Sequence, residues 1–138
     1  MLLLNPTTVR FGQSLWPSIS AIAIDRQPRR IVEEWTDLGP YTAMVDVPEQ
    51  RIRIVIHQEL AHDDPSPPRP GDQATLSFFT APARADAARR KVSSTAVVLE
   101  VRHELSQKKG ALRVISLAAI SGGAADPITI TDAPDGEI

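Results

Sequence analysis

The sequence predicts a mainly β protein built from short antiparallel strands. Three observations carry that expectation. Twelve prolines and seven glycines cut the 138 residues into short runs, the punctuation of an all-β chain. The run RIRIVIHQEL (51–60) alternates cleanly, with Ile52, Ile54 and Ile56 on one face and Arg51, Arg53, Val55 and His57 on the other. The stretch 94–121 reads as two long strands around a QKKGA turn.

The elements follow in order. PTTVRF (6–11) is a plausible first strand. SISAIAIDR (18–26) alternates, with Ile19, Ala21, Ala23 and Asp25 opposite Ser20, Ile22, Ile24 and Arg26. RRIVEEW (29–35) follows a turn expected at Gln27-Pro28, and YTAMVDV (41–47) follows the turn DLGP. At about 3.3 Å per residue the strand 51–60 is roughly 33 Å long. The stretch 61–73, AHDDPSPPRPGDQ, holds four prolines, Asp63, Asp64 and Gly71. It can be neither helix nor central strand, so it is expected to project as a long loop. ATLSFFTA (74–81) resumes the sheet, and PARADAARRKV (82–92) alone has helical composition, enough for two turns of surface helix, the alternative being a polar excursion between strands. PITIT (127–131) is a short last strand before a polar C-terminal tail, 132–138. The whole is expected to be one domain, 1–138.

The register of the 94–121 hairpin can be argued. A turn over 106–110 sets Leu105 opposite Ala111, Val101 opposite Ile115, Leu99 opposite Leu117 and Val97 opposite Ala119. One apolar face results, and a one-residue slip splits it. The second face carries Glu100 and Arg102 near the tip but Ala96, Val98, Ala118 and Ile120 at the root. That apolar root needs a cover, either from the chain's own loop or helix or from a second copy. The tip is expected to be charged, through Arg102, His103, Glu104, Lys108, Lys109 and Arg113.

Composition excludes several functions. The net charge of −2 and pI near 5.9 argue against general affinity for nucleic-acid phosphates. Absence of cysteine removes disulfides, cysteine-based zinc sites and thiol nucleophiles. MLLL before Asn5-Pro6 is too short for the apolar region of a signal peptide, and no run has the roughly 20 residues of a membrane span.

No enzyme is expected, and no cofactor. His57, Glu59, His62, Asp63 and Asp64 match no zinc spacing and read as a solvated strand end running into an acidic loop. Glu33 and Glu34 are adjacent on a strand and point apart, so they cannot act as a close carboxylate pair. SGGAAD (121–126) has no helix after it to make a phosphate cradle, and G-x-S-x-G is absent. The basic clusters are short and separated, and six aromatic residues offer no stacking platform. Trp16, Trp35, Tyr41, Phe11, Phe78 and Phe79 are expected in a core or an interface.

The order of features resembles the tail tube proteins of tailed bacteriophages and related prophages. The likeness lies in VPEQRIRIVIHQEL, a variable loop, GDQATLSFFTA, the pair STAVVLEVRHELS and LRVISLAAIS around QKKGA, and the close GGAADPITIT; it runs from about Asn5 to Thr131. The resemblance implies a β-sandwich or partial barrel with one flanking helix. It implies a homo-hexameric ring stacking into a tube in the virion tail, assembled in the host cytoplasm. DNA passes through during ejection without specific binding. Sheath, tape-measure, baseplate and terminator proteins are the implied partners, and no membrane is involved. In such a ring Arg51, Arg53, Glu100, Arg102 and Glu104 are expected to line the lumen or meet a neighbouring ring, and the loop with Asp63 and Asp64 to reach the next ring. Val98, Ala118 and Ile120 are expected in the intersubunit seam. A basic wall would bind phosphate and stall passage, which a mildly acidic chain avoids. The rival expectations are a tail terminator, tube-initiator or baseplate ring subunit, and a monomeric β-barrel binding module.

Overall fold

The computed structural model describes residues 2–3, 6–60, 68–80, 89–106 and 110–132. Nine strands form one antiparallel sheet: β1 (Leu2–Leu3), β2 (Thr7–Phe11), β3 (Ser14–Leu15), β4 (Ile19–Trp35), β5 (Thr42–Leu60), β6 (Gln73–Thr80), β7 (Arg90–Ser106), β8 (Gly110–Ala119) and β9 (Thr129–Asp132). The spatial order is β1-β4-β5-β8-β7-β6-β2-β3, and β9 pairs with β7. The expected mainly β architecture is what is seen, with the sheet left open rather than closed. Among the described residues there is no helix. Most of the segment expected to be helical lies outside them, but Arg90 and Lys91 begin β7 and pair with Thr80 and Phe79.

The sheet curls around one core. Ile22 and Ile24 of β4, Ile52, Ile54 and Ile56 of β5, and Ile115 and Leu117 of β8 are buried on a shared face. They join Val9 and Phe11 of β2 and Leu76 and Phe78 of β6, from the far end of the strand order, in a single cluster. Each such side chain contributes about 1.5–3 kcal/mol by leaving water. The linker from β3 to β4 closes this cluster: Trp16 stacks on Phe11 with ring centroids 5.0 Å apart. The Glu59 amide donates to the Ser18 carbonyl at 2.9 Å. Thr8, at φ 50°, lies where the pairing of β2 shifts between Thr7 and Arg10, a bulge that bends the strand.

One expected turn, at Gln27-Pro28, is absent: β4 runs unbroken through Pro28. β5 likewise runs through Pro48, so the stretches 41–47 and 51–60 belong to one strand. Proline lacks an N–H and so tolerates only a strand edge or a bulge. Both conditions are met here: β8 stops opposite Ile52, leaving β4 and β5 as a two-stranded ribbon from there onward, and the register shifts between Pro28 and Arg30. The result is a long arm. It projects beyond the core, with residues 33–46 exposed on both faces and Arg29 ion-paired to Glu49 across its base.

The 94–121 hairpin keeps the expected register at its tip: Leu105 faces Ala111, Arg102 faces Val114, Val101 faces Ile115 and Glu100 faces Ser116. A bulge between Val98 and Glu100 then changes it, so Val98 rather than Leu99 faces Leu117, and Ala96 rather than Val97 faces Ala119. Ala96 and Val98 therefore turn into the core, covered by the chain's own fold. β9 takes the same side of β7 as β8, lower on the strand, after residues 120–128 loop out.

Candidate functional site

The sheet face opposite the core is built from alternate residues of four strands. Pairing brings Asp25 beside Arg53 and Arg53 beside Ala118, and places Val97 on the other side of Ala118. Nearer the β7–β8 tip the same face carries His57 next to Val114 and Arg102, and Glu59 next to Leu112 and Glu104. Its centre is small and apolar: Ala21, Ala23, Val55, Val97, Val114 and Ala118 are half-buried. Charged residues surround that centre. Arg102 and Glu104 are paired at 3.0 Å.

Of the residues singled out from sequence, Arg51, Arg53, Glu100, Arg102 and Glu104 are all exposed and share this face. Asp63 and Asp64 lie outside the described residues, while the end of their loop is pinned: Gly71 donates to the Val98 carbonyl at 2.7 Å and Val98 to the Asp72 carbonyl at 2.8 Å.

The expected seam of Val98, Ala118 and Ile120 does not form a unit. Val98 is 1% exposed in the chain's own core, because the bulge at Leu99 reverses its direction. Ala118 is central in the sheet, bonded to strands on both sides, and Ile120 is exposed just past the end of β8.

Free backbone edges lie elsewhere. On β4, the side away from β5 is paired by β1 at Ile22 and Ala23, and residues 26–35 have no neighbouring strand there among the described residues. On β7, the side away from β8 is paired to β6 up to Val97 and held by the Gly71 and Asp72 backbone at Val98. Beyond that, residues 99–106 have no neighbouring strand on that side among the described residues.

Arg113, expected among the charges of the hairpin tip, is buried at 5% exposure. Its Nε and Nη2 both donate to Gln58 Oε1, at 2.9 and 2.5 Å, and Gln58 Nε2 donates to the Pro17 carbonyl at 2.9 Å. Alternation assigns Arg113 the same face as Ile115 and Leu117, a signal available in the sequence but outweighed by its charge.

Two features were not foreseen. The arm carries exposed apolar side chains: Leu38 is 95% exposed, Tyr41 84% and Trp35 57%, with Ile31, Met44 and Val45 also exposed. Trp35 and Tyr41 thus differ from Trp16, Phe11, Phe78 and Phe79, which are buried as expected. Second, a crevice of about 450 Å³ separates the arm base from the 120–128 loop, lined by Arg26, Gln50, Arg51, Ala119 and Asp126. Arg26 Nη2 meets Asp126 Oδ2 at 3.1 Å across it. The Ile128 N–H first, and the Arg26 guanidinium second, hold the Asp126 carboxyl below its ordinary value.

Compared with known proteins, the chain matches no family model and no curated protein.

Proposed function

We propose that this chain is a structural subunit that closes into a ring with copies of itself, and that the rings stack into a phage-type tail tube conducting DNA. One observation supports this reading above the others. The four strands β4, β5, β8 and β7 alternate in direction and end in backbone edges that no strand among the described residues covers, 26–35 on β4 and 99–106 on β7. With an even number of alternating strands, β7 of one copy meets β4 of the next antiparallel when both copies have the same orientation. Head-to-tail repetition of such a contact closes a ring, and pairing of the edges removes an aggregation hazard. The free stretch of β4 extends toward the arm and that of β7 toward the β8 turn, so joining them staggers the strands, as strand tilt in a barrel requires.

The outer sheet face then becomes a wall of the pore. Asp25, Glu59, Glu100 and Glu104 stand against Arg51, Arg53 and Arg102. Such mixed charge holds few phosphates and lets a polyanion slide. The number six per ring, and the virion tail as location, come from the family resemblance.

Negative-stain microscopy and sedimentation of the purified chain test the proposal. Hollow rings or tubes are expected. Single rings that never lengthen favour a terminator or initiator subunit, and a monomer at all concentrations refutes the ring.

A further inference from the structure

The arm ends in apolar side chains that the chain itself does not cover, and its charge is one-sided. From Ile31 to Val47 there are four carboxylates, Glu33, Glu34, Asp37 and Asp46, and no lysine or arginine. At the other end of β4 lies a concavity. A crevice of about 350 Å³ opens between the Gly12–Trp16 turn and the 68–74 segment, lined by Phe11, Gln13, Trp16, Pro68, Gln73 and Ala74. Its floor is aromatic, since Phe11 and Trp16 are stacked and buried. One exposed arginine stands at its edge, Arg69, which follows Pro68. Asp72 also lines the crevice and accepts from the Arg69 amide at 2.9 Å.

We propose that the arm tip of one copy, through Leu38 and Tyr41, seats in the Phe11–Trp16–Pro68 crevice of a second copy. The occupant follows from shape, chemistry and position. The crevice has room for one or two large side chains, its floor matches their apolarity, and Arg69 stands at its edge to meet the acidic arm. The knob lies past the last residue of β4 and the crevice before its first. Seventeen residues at 3.3 Å put them roughly 55 Å apart along the strand. A chain therefore cannot fill its own crevice with its own arm. A contact between unlike ends repeats without closing on two copies, so it generates a linear stack. This inference rests on the tube reading, and supplies the contact that lengthens it.

Two full-length variants test it. Leu38→Ser/Tyr41→Ser removes the knob; Gln13→Trp/Gln73→Trp, at two exposed rim positions, fills the crevice. In sedimentation velocity each variant alone is expected to lose every species longer than one ring. Mixed, they retain one intact knob and one intact crevice between them. The mixture is expected to show one new species of twice the ring mass, and nothing longer. In a Trp16→Phe background Trp35 reports alone, and its emission is expected to shift to the blue on stacking.

The knob variant elongating like the parent overturns the inference and leaves the tube reading intact. So does a mixture that stays at single-ring mass. A parent that forms rings and never lengthens overturns the inference and turns the tube reading into that of a terminator or initiator subunit. A parent that remains monomeric defeats both.

Discussion

Replacing Gln58 by leucine isolates the largest polar contact inside the fold. Gln58 is 1% exposed and links three elements: its amide oxygen receives Nε and Nη2 of Arg113 on β8, and its amide nitrogen donates to Pro17 in the β3–β4 linker. Leucine keeps the bulk and removes both functions. Loss of an acceptor for a buried charged donor costs about 1.5–3 kcal/mol, whereas the carbonyl of the exposed Pro17 takes up water in place of its donor. Leucine recovers about 1 kcal/mol through apolar burial, so the net expectation is about 1 kcal/mol. Urea unfolding followed by circular dichroism, at one protein concentration, reads it as a lower midpoint with an unchanged slope. The decisive comparison is Gln58→Leu/Arg113→Met. With the buried cation gone as well, the double variant is expected to cost less than the sum of the single variants, by at least 1 kcal/mol. Strictly additive costs, or a Gln58→Leu variant as stable as the parent, refute the buried network as a stabilising unit.

Asp126→Asn is expected to loosen the 120–128 loop in a pH-dependent way. The folded carboxyl titrates below its ordinary value of 3.8, so its contribution is complete above that value and disappears as pH falls through the depressed one. Amide exchange at Ile128 is therefore expected to be faster in the variant at pH 7 and to converge with the parent near pH 2. Gly12→Ala is expected to cost about 1–2 kcal/mol, because Gly12 sits at φ +64° and an added Cβ meets that of Ala74 at 3.2 Å; thermal unfolding checks it. Arg29→Ala, at an exposed arm ion pair with Glu49, is expected to change stability by less than about 1 kcal/mol in the same assay.

What could be read beforehand follows from what alternation encodes. A period of two fixes which side chains share a face, so the common face of Arg51 and Arg53 and the pairing of Val101 with Ile115 were both accessible. A bulge leaves no mark in that period. The extra residue at Leu99 moved Val98 from a supposed surface seam into the core. Pro28 misled for a related reason: proline signals a break in a central strand, yet in a ribbon whose edges no strand among the described residues covers it interrupts nothing. Arg113 shows the converse error, in which charge was allowed to overrule a face assignment that periodicity had right.

The arm was the hardest element to foresee, because apolar content in a sequence stands equally for burial inside the chain and for burial against something else. Ile31, Trp35, Leu38, Tyr41, Met44 and Val45 resemble core residues in composition and spacing. What separates them is the length of β8. It supports β5 from Leu60 only as far as Ile52, and there the buried isoleucine row of β4 and β5 also stops. Past that point the ribbon has no third strand and no opposing layer among the described residues. An isolated two-stranded ribbon is marginal in water, and this one adds six large apolar side chains exposed to solvent. The body gains nothing from that exposure, since its core is complete without the arm. On the reading proposed above, the free energy available from those six side chains is realised in a contact with another copy, and the arm serves assembly rather than folding.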